Sequence, residues 1–210
     1  MKTINSFISE KLKITKKVLK QNQYEFIDLC LPSGTLWADR NVGAKTETEY
    51  GDYFAWAETK YKNEYSWESY KFGSKRPLKK YNDEDKLVNI KLTDDTAHVN
   101  IGNNCSIPTR EQFQELLDNT TNKWVEKYNG TNVNGMLFTA KNGNTLFLPA
   151  AGFIDNTSHD DISESGLYWA SNVSLNDSYY AYNLFFVTNN SYMVVIDRCY
   201  GLSVRGVLNK

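Results

Sequence analysis

The chain carries 24 Lys and Arg against 25 Asp and Glu over 210 residues, a net charge of −1, and 14% of it is aromatic. Charge this evenly balanced, with a short Lys run at the amino end, is at odds with nucleic-acid binding, which needs a concentrated basic face. The length fits one globular domain with a short appendage, and a chain of this size buries roughly 70% of its unfolded-state surface, so its stability requires neither metal nor disulfides.

Residues 1–22 form the appendage. Its sequence, MKTINSFISEKLKITKKVLK and two further residues, is too charged for a secretory signal, with no apolar core after the first lysines. Ile4, Phe7, Ile8 and Leu12 fall near helical spacing, and a Lys-rich half follows (Lys11, Lys13, Lys16, Lys17, Lys20). Two readings are open: a solvated tail, or an attachment segment that fastens the domain to a larger body.

The domain spans 23–210. YEFIDLCLPSGTLWADRNVG alternates apolar and polar residues around a Pro32-Ser33-Gly34 turn, which predicts a hairpin. The next segment is dense in aromatics (Tyr53, Phe54, Trp56, Tyr61, Tyr65, Trp67, Tyr70, Phe72) without a helical stripe. It reads as loop pinned to the core by large rings, with carbohydrate stacking as the sharper alternative. From Lys75 to Asn104 the chain is polar, a surface excursion with one strand expected near Leu87 to Leu92; His98 is expected to be structural, near a turn. SIPTREQFQELLDNTT is the clearest helix: Thr109 at the N-cap with Gln112 three residues on forms a capping box, and Phe113, Leu116 and Leu117 make the buried face. Turns are predicted at Asn129-Gly130, Asn134-Gly135 and Asn142-Gly143, with strands around Met136–Thr139 and Leu146–Leu148. An acidic loop, Asp155 to Glu164, leads into the last region.

That region, Gly166 to Val207, has two small and aromatic ends enclosing an interior in which about half the residues are Asn, Ser, Asp or Tyr. Binding surfaces favour this mixture, and so do ordinary turns between strands. Alternation over Tyr180–Val187 and Tyr192–Ile196 predicts two antiparallel strands, followed by a third at Leu202 to Leu208, together a C-terminal hairpin array. Trp37 and Trp169 are expected to be buried, and Arg205 to pair with backbone carbonyls or a carboxylate. On the first strand Tyr180, Tyr182 and Leu184 share one face and Ala181, Asn183 and Phe185 the other, so only one set is displayed. With Phe185, Val187, Val194 and Ile196 assigned to core, the contact residues are Tyr179, Tyr180, Tyr182, Asn189, Asn190, Tyr192, Asp197 and Tyr200.

Six stretches in order, DLCLPSGTLWADRNVGA, YGDYFAWAET, SIPTREQFQELLDN, GNTLFLPAAGF, GLYWASN and GLSVRGV, resemble the paralogous domain abundant in Bacteroides and Fibrobacter, related to the formylglycine-generating-enzyme and C-type-lectin-like folds. The resemblance covers about Tyr24 to Val207. It implies an α+β, C-type-lectin-like fold: short twisted antiparallel sheets, one or two helices, extensive loops, and a ligand surface on the C-terminal strands. The same architecture carries the variable proteins of diversity-generating retroelements, to whose variable regions Asn172–Tyr200 is similar. Most relatives are exported, whereas INSFISEKLKIT resembles short amino-terminal segments of structural proteins of phages of Bacteroides-type hosts, including crAss-like phages.

Catalysis has little in its favour. The cysteines are odd in number and far apart, without C-x-x-C or Cys/His spacing, so they read as buried free thiols, with Cys199 expected to be the more accessible. The oxidase relatives use a cysteine pair, for which only Cys199 is placed. There is no Gly-x-Ser-x-Gly elbow or phosphate loop, and only His98 and His159 represent histidine. The calcium-lectin motifs are missing, although Asp155 to Asp161 is dense in hard oxygen donors, leaving a calcium loop or a solvated acidic loop open. The expectation is therefore a cofactor-free, non-enzymatic binding module: a phage virion fibre or decoration protein, made in the host cytoplasm, contacting a host-surface glycan or protein. It would join a virion protein through its amino-terminal segment, self-associate (a trimer is compatible), and insert into no membrane. The alternative is a bacterial ligand-binding protein of the same fold, cytoplasmic or surface-borne; a formylglycine-generating type of enzyme ranks below both.

Overall fold

The computed structural model describes residues 19–21, 23–102 and 104–209. Ile4, Phe7, Ile8 and Leu12 lie outside them. Short antiparallel sheets and two helices give a mixed α+β architecture. One sheet is ordered β1 (Leu19–Gln21), β2 (Tyr24–Asp28), β3 (Leu36–Asn41), β13 (Arg205–Leu208), β4 (Cys105–Ser106). A second runs β10 (Ser165–Val173), β11 (Tyr180–Val187), β12 (Asn190–Asp197), and a third β5 (Thr120–Val125), β6 (Gly135–Ala140), β7 (Thr145–Pro149). β8 (Phe153–Asp155) and β9 (Ser158–Asp160) form a small hairpin. The helices are α1 (Thr96–Ile101) and α2 (Arg110–Asn119).

The central strands lie between two apolar clusters. Leu36 and Ala38 of β3, Leu167 and Trp169 of β10, Ala181 of β11 and Leu208 of β13 enter one; Trp37, Tyr168, Ala170, Leu184, Phe186 and Val207 enter the other. Side chains alternate across a strand, so a strand with core on both sides has no polar face. That is why GLYWAS is apolar or small throughout and why β10 is buried at every position but one. Trp37 and Trp169 are buried, and the Trp169 indole N–H donates to the Phe54 carbonyl at 2.7 Å. Gly166 is required here because a Cβ would lie 2.0 Å from the Phe186 ring.

The β2–β3 hairpin forms as its pattern predicts, closed by Gly34 N–H donating to the Leu31 carbonyl at 2.8 Å. α2 carries both halves of the capping box: Gln112 N–H donates to Thr109 Oγ1 at 3.1 Å, and Thr109 N–H to Gln112 Oε1 at 2.8 Å. Phe113 and Leu116 are buried; Leu117 is half-buried.

Several expectations are corrected. No strand forms at Leu87 to Leu92; that stretch runs beside β10 through Ile90 N–H to Ser171 O and Val173 N–H to Val88 O, and only Asn89 and Asn172 bridge. A 3-10 turn (Leu92–Asp94) and α1 follow, because two acidic side chains organise them. Asp95 accepts the His98 and Ile107 N–H groups, both at 2.9 Å, and Asp94 gathers Lys71, Lys80 and the Tyr81 hydroxyl. His98 accordingly lies in a helix. Asn134-Gly135 is no turn: Gly135 opens β6 where a Cβ would be 2.3 Å from the Leu148 carbonyl, so the glycine serves close packing. The acidic loop contains the β8–β9 hairpin. The last strand begins at Arg205 and leaves the hairpin array to sit between β3 and β4. Cys199 is buried and Cys30 is the exposed thiol.

Candidate ligand-binding surface

Two fully buried arginines fix the C-terminal region. Arg205 on β13 donates to Asn41 Oδ1 at 3.0 Å and to the carbonyls of Ala38 at 2.9 Å and Phe147 at 3.0 Å, tying three strands together. Its burial lowers its pKa, and these acceptors meet all three guanidinium nitrogens. Arg198 follows β12 directly. Its guanidinium lies 4.6 Å from the Trp56 ring centre, with Tyr70, Phe72 and Tyr81 also around it. It donates to Tyr70 Oη at 2.9 Å and to the carbonyls of Tyr81 at 3.0 Å, Ser178 at 2.8 Å and Lys80 at 3.2 Å. One side chain thereby joins the loop before β11, the loop after β12 and the segment around Lys80.

That junction positions four of the eight predicted contact residues. Tyr179 lies 4.5 Å from Trp67 between ring centres, beneath the Arg76 guanidinium at 4.2 Å, and its hydroxyl donates to Ser74 O at 3.0 Å. Tyr180, 37% exposed, pairs across the strands with Asp197. Tyr200 stacks on Phe153 at 5.7 Å. Arg76 bonds Asp177 at 2.7 Å on the rim. The result is an aromatic and acidic surface at one end of the second sheet.

The other four are not brought there. Asn189 and Asn190 lie at the far end of β11, in and beside a two-residue turn, where with Asn122, Trp124 and Met136 they line a groove of about 370 Å³. Tyr182 is half-buried under the Arg110 guanidinium at 4.6 Å. Tyr192, 43% exposed, contacts Phe185 on the reverse face. The facing sets on β11 were assigned correctly, but neither is simply displayed: Leu184 and Phe186 enter one core and Ala181 the other. Phe185, Val187, Val194 and Ile196, expected in the core, are half-buried.

Burial is the main cause that raises the Asp197 pKa; the Trp67 indole hydrogen bond opposes it and the neighbouring Asp155 charge adds to it. Tyr200 is raised by burial first and then by Asp155 and Asp197. Asp177 is lowered, chiefly by its hydrogen bond from Arg76. The surface thus combines ring faces with a carboxylate that gains from an added hydrogen-bond donor. Sequence reasoning missed Arg198, Arg76 and Phe153 as its supports, the only local signal being an Arg beside an apolar strand; Trp67 belongs to the aromatic segment already read as anchoring rings, and it packs on Tyr70 and Tyr179.

Among the described residues no three His, Cys, Asp or Glu side chains converge as metal ligands, the Asp155–Asp161 segment included. Burial pushes the Cys105 and Cys199 thiols up to about 12, so both are protonated at neutral pH. No helix among the described residues is long and apolar enough to cross a membrane. No family profile, curated protein or solved structure matches the chain.

Proposed function

We propose that this chain is a non-enzymatic binding module of C-type-lectin-like fold, a phage virion fibre or decoration protein whose C-terminal surface contacts a host-surface glycan or protein. The observation that carries the reading is the Arg198 junction: inside an aromatic cage it anchors the segment bearing Asp197 and Tyr200 to Tyr70, Lys80 and Tyr81, and it donates to the Ser178 carbonyl beside Tyr179 and Tyr180. Rings presented on a pre-ordered frame lose little entropy on contact, which is what a recognition surface needs. The buried Cys105 and Cys199 thiols, held protonated, are poorly suited to cysteine-based oxidation. The amino-terminal segment is the attachment point in this reading, and self-association into a trimer is compatible with it.

The test is attachment of the purified domain to cells of Bacteroides-type hosts. Tyr180→Ala and Tyr200→Ala are expected to leave melting temperatures within a few degrees of the parent, while at least one weakens attachment more than tenfold; truncating a central aromatic costs about 2 kcal/mol of binding. Normal attachment by both variants would remove this surface from the contact.

A further inference from the structure

A cavity of about 560 Å³ opens in the aromatic loop segment, and none of its walls belongs to the surface just described. Asp52 and Phe54 line it, with Lys60, Tyr61 and Asn63 from the following loop and Asn100 from α1. Its chemistry is set by what the fold leaves unused there.

The first unused group is the Asp52 carboxylate. Other carboxylates withdrawn from solvent are partnered: Glu58 by Lys62, Asp94 by two lysines and a tyrosine, Asp95 by backbone N–H groups, Asp39 by Arg40. Asp52 is half-buried; its N–H donates to the Val42 carbonyl at 2.9 Å, while its carboxylate, lying beside Gly43, accepts no hydrogen bond and forms no ion pair among the described residues. Burial alone raises its pKa, with no cation opposing it. Its oxygens are not among the buried side-chain atoms left without a partner, so water supplies their donors in the free protein and a ligand hydroxyl would take the place of that water.

The second is Tyr61. Along the same segment Tyr53, Tyr65 and Tyr70 are buried with their hydroxyls donating to backbone carbonyls, and Trp67 packs on Tyr70 and Tyr179. Tyr61 is 65% exposed and has no ring contact or hydrogen bond among the described residues. The remaining lining sorts the ligand by charge. Lys62 is held by Glu58 and the Ser69 carbonyl, whereas Lys60 has no such partner among the described residues, and its charge disfavours a cationic ligand beside Asp52. Asn100 uses its amide N–H groups on the Thr59 and Thr96 carbonyls, leaving its oxygen as an acceptor, and Asn63 offers both donor and acceptor. Acceptors, one amide and a ring face suit hydroxyl groups on an otherwise apolar ring.

We propose that this cavity binds a neutral saccharide, two adjacent hydroxyls donating to the Asp52 carboxylate while the C–H face of a pyranose ring lies on Tyr61. Hydrogen bonds to an ionised acceptor are the stronger kind, which favours exchanging its water for ligand hydroxyls. This site is independent of the C-terminal contact surface, and either can fail without the other.

The experiment uses the full chain with methyl glucopyranoside, galactopyranoside and mannopyranoside as neutral probes, and choline and N-acetylneuraminic acid as charged ones, followed by saturation-transfer NMR and calorimetry. At least one neutral pyranoside is expected to bind, with affinity reduced at least tenfold by Asp52→Ala and by Tyr61→Ala and unchanged by Tyr180→Ala. Asp52→Asn is expected to melt at or above the parent temperature, because it removes a charge without a partner. Binding of choline or the sialic acid alone, binding unaffected by both cavity variants, no binding of any neutral pyranoside, or a lower melting temperature for Asp52→Asn would each overturn the proposal.

Discussion

Replacing Arg198 by Ala isolates the contribution of the cage. The guanidinium is fully buried and satisfies the carbonyls of Lys80, Ser178 and Tyr81 and the Tyr70 hydroxyl. Alanine leaves three carbonyls without this donor and a cavity between four aromatic rings. An unmet buried polar group costs about 1–3 kcal/mol, but some of these carbonyls would be reached by water entering the vacated space. The desolvation of the arginine itself is also recovered. The net expectation is a loss of about 3–5 kcal/mol. For a domain of this size each kcal/mol lowers the melting temperature by about 2–4 °C, so the midpoint should fall by roughly 6–20 °C. Urea melts followed by tryptophan fluorescence measure the loss, since Trp56 lies against the guanidinium. Limited proteolysis of the variant should cut first around Lys80 and Ser178, the segments the side chain joins. A loss below about 1 kcal/mol, with an unchanged proteolytic pattern, would refute the view that this arginine holds the display loops together.

Trp169→Ala removes a buried indole and its 2.7 Å hydrogen bond to Phe54 O, and should lower stability by about 3–5 kcal/mol in the same melts. Asp94, partnered by Lys71, Lys80 and Tyr81, has a lowered pKa despite burial, its largest single influence, acting the other way. Its folded pKa lies below its unfolded value, so its contribution is complete above the unfolded pKa of 3.8 and is lost as pH falls through the folded one. Asp94→Asn should therefore lose less stability than the parent on acidification below about pH 4, measured by melts across that range. On the virion role proposed above, deleting residues 1–18 should leave attachment to host cells intact and abolish co-sedimentation with assembled virions; co-sedimentation at the parent level would refute that role for the segment.

What could be read from sequence was local. The capping box of α2 joins Thr109 to Gln112, and the β2–β3 and β11–β12 hairpins join neighbours across short turns, so the residues that decide each element sit inside it. β5 escaped because its sequence TTNKWV is largely polar, with half its residues exposed and none buried, as an edge strand can be. The destination of β13 was equally hidden: its partners are β3 and β4, and nothing within RGVL names them. The contact patch was read from composition and alternation, which order residues along one strand but do not reveal a second core behind it. Tyr180 and Tyr182 have the same parity and similar surroundings in sequence, yet one lies at the strand end and the other beneath Arg110. Asp52 gave no signal at all, since a missing partner is a property of the assembled fold.

The position of β13 also bears on how the chain reaches its native state. β3 and β4 meet only through that strand, and Arg205 reaches across 164 residues to Asn41. Neither half of the first sheet can be completed until the last residues arrive, and the two apolar clusters that share its central strands remain open until then. Contacts this distant in sequence make the closing step slow, because a long loop must be ordered before any of its contacts is gained. Refolding after dilution from denaturant should therefore be limited by docking of the C-terminal strand: Val207→Ala, which thins that strand in the core, should slow the main phase if the strand is in place at the barrier, whereas substitutions in the Thr188-Asn189 turn should leave it unchanged.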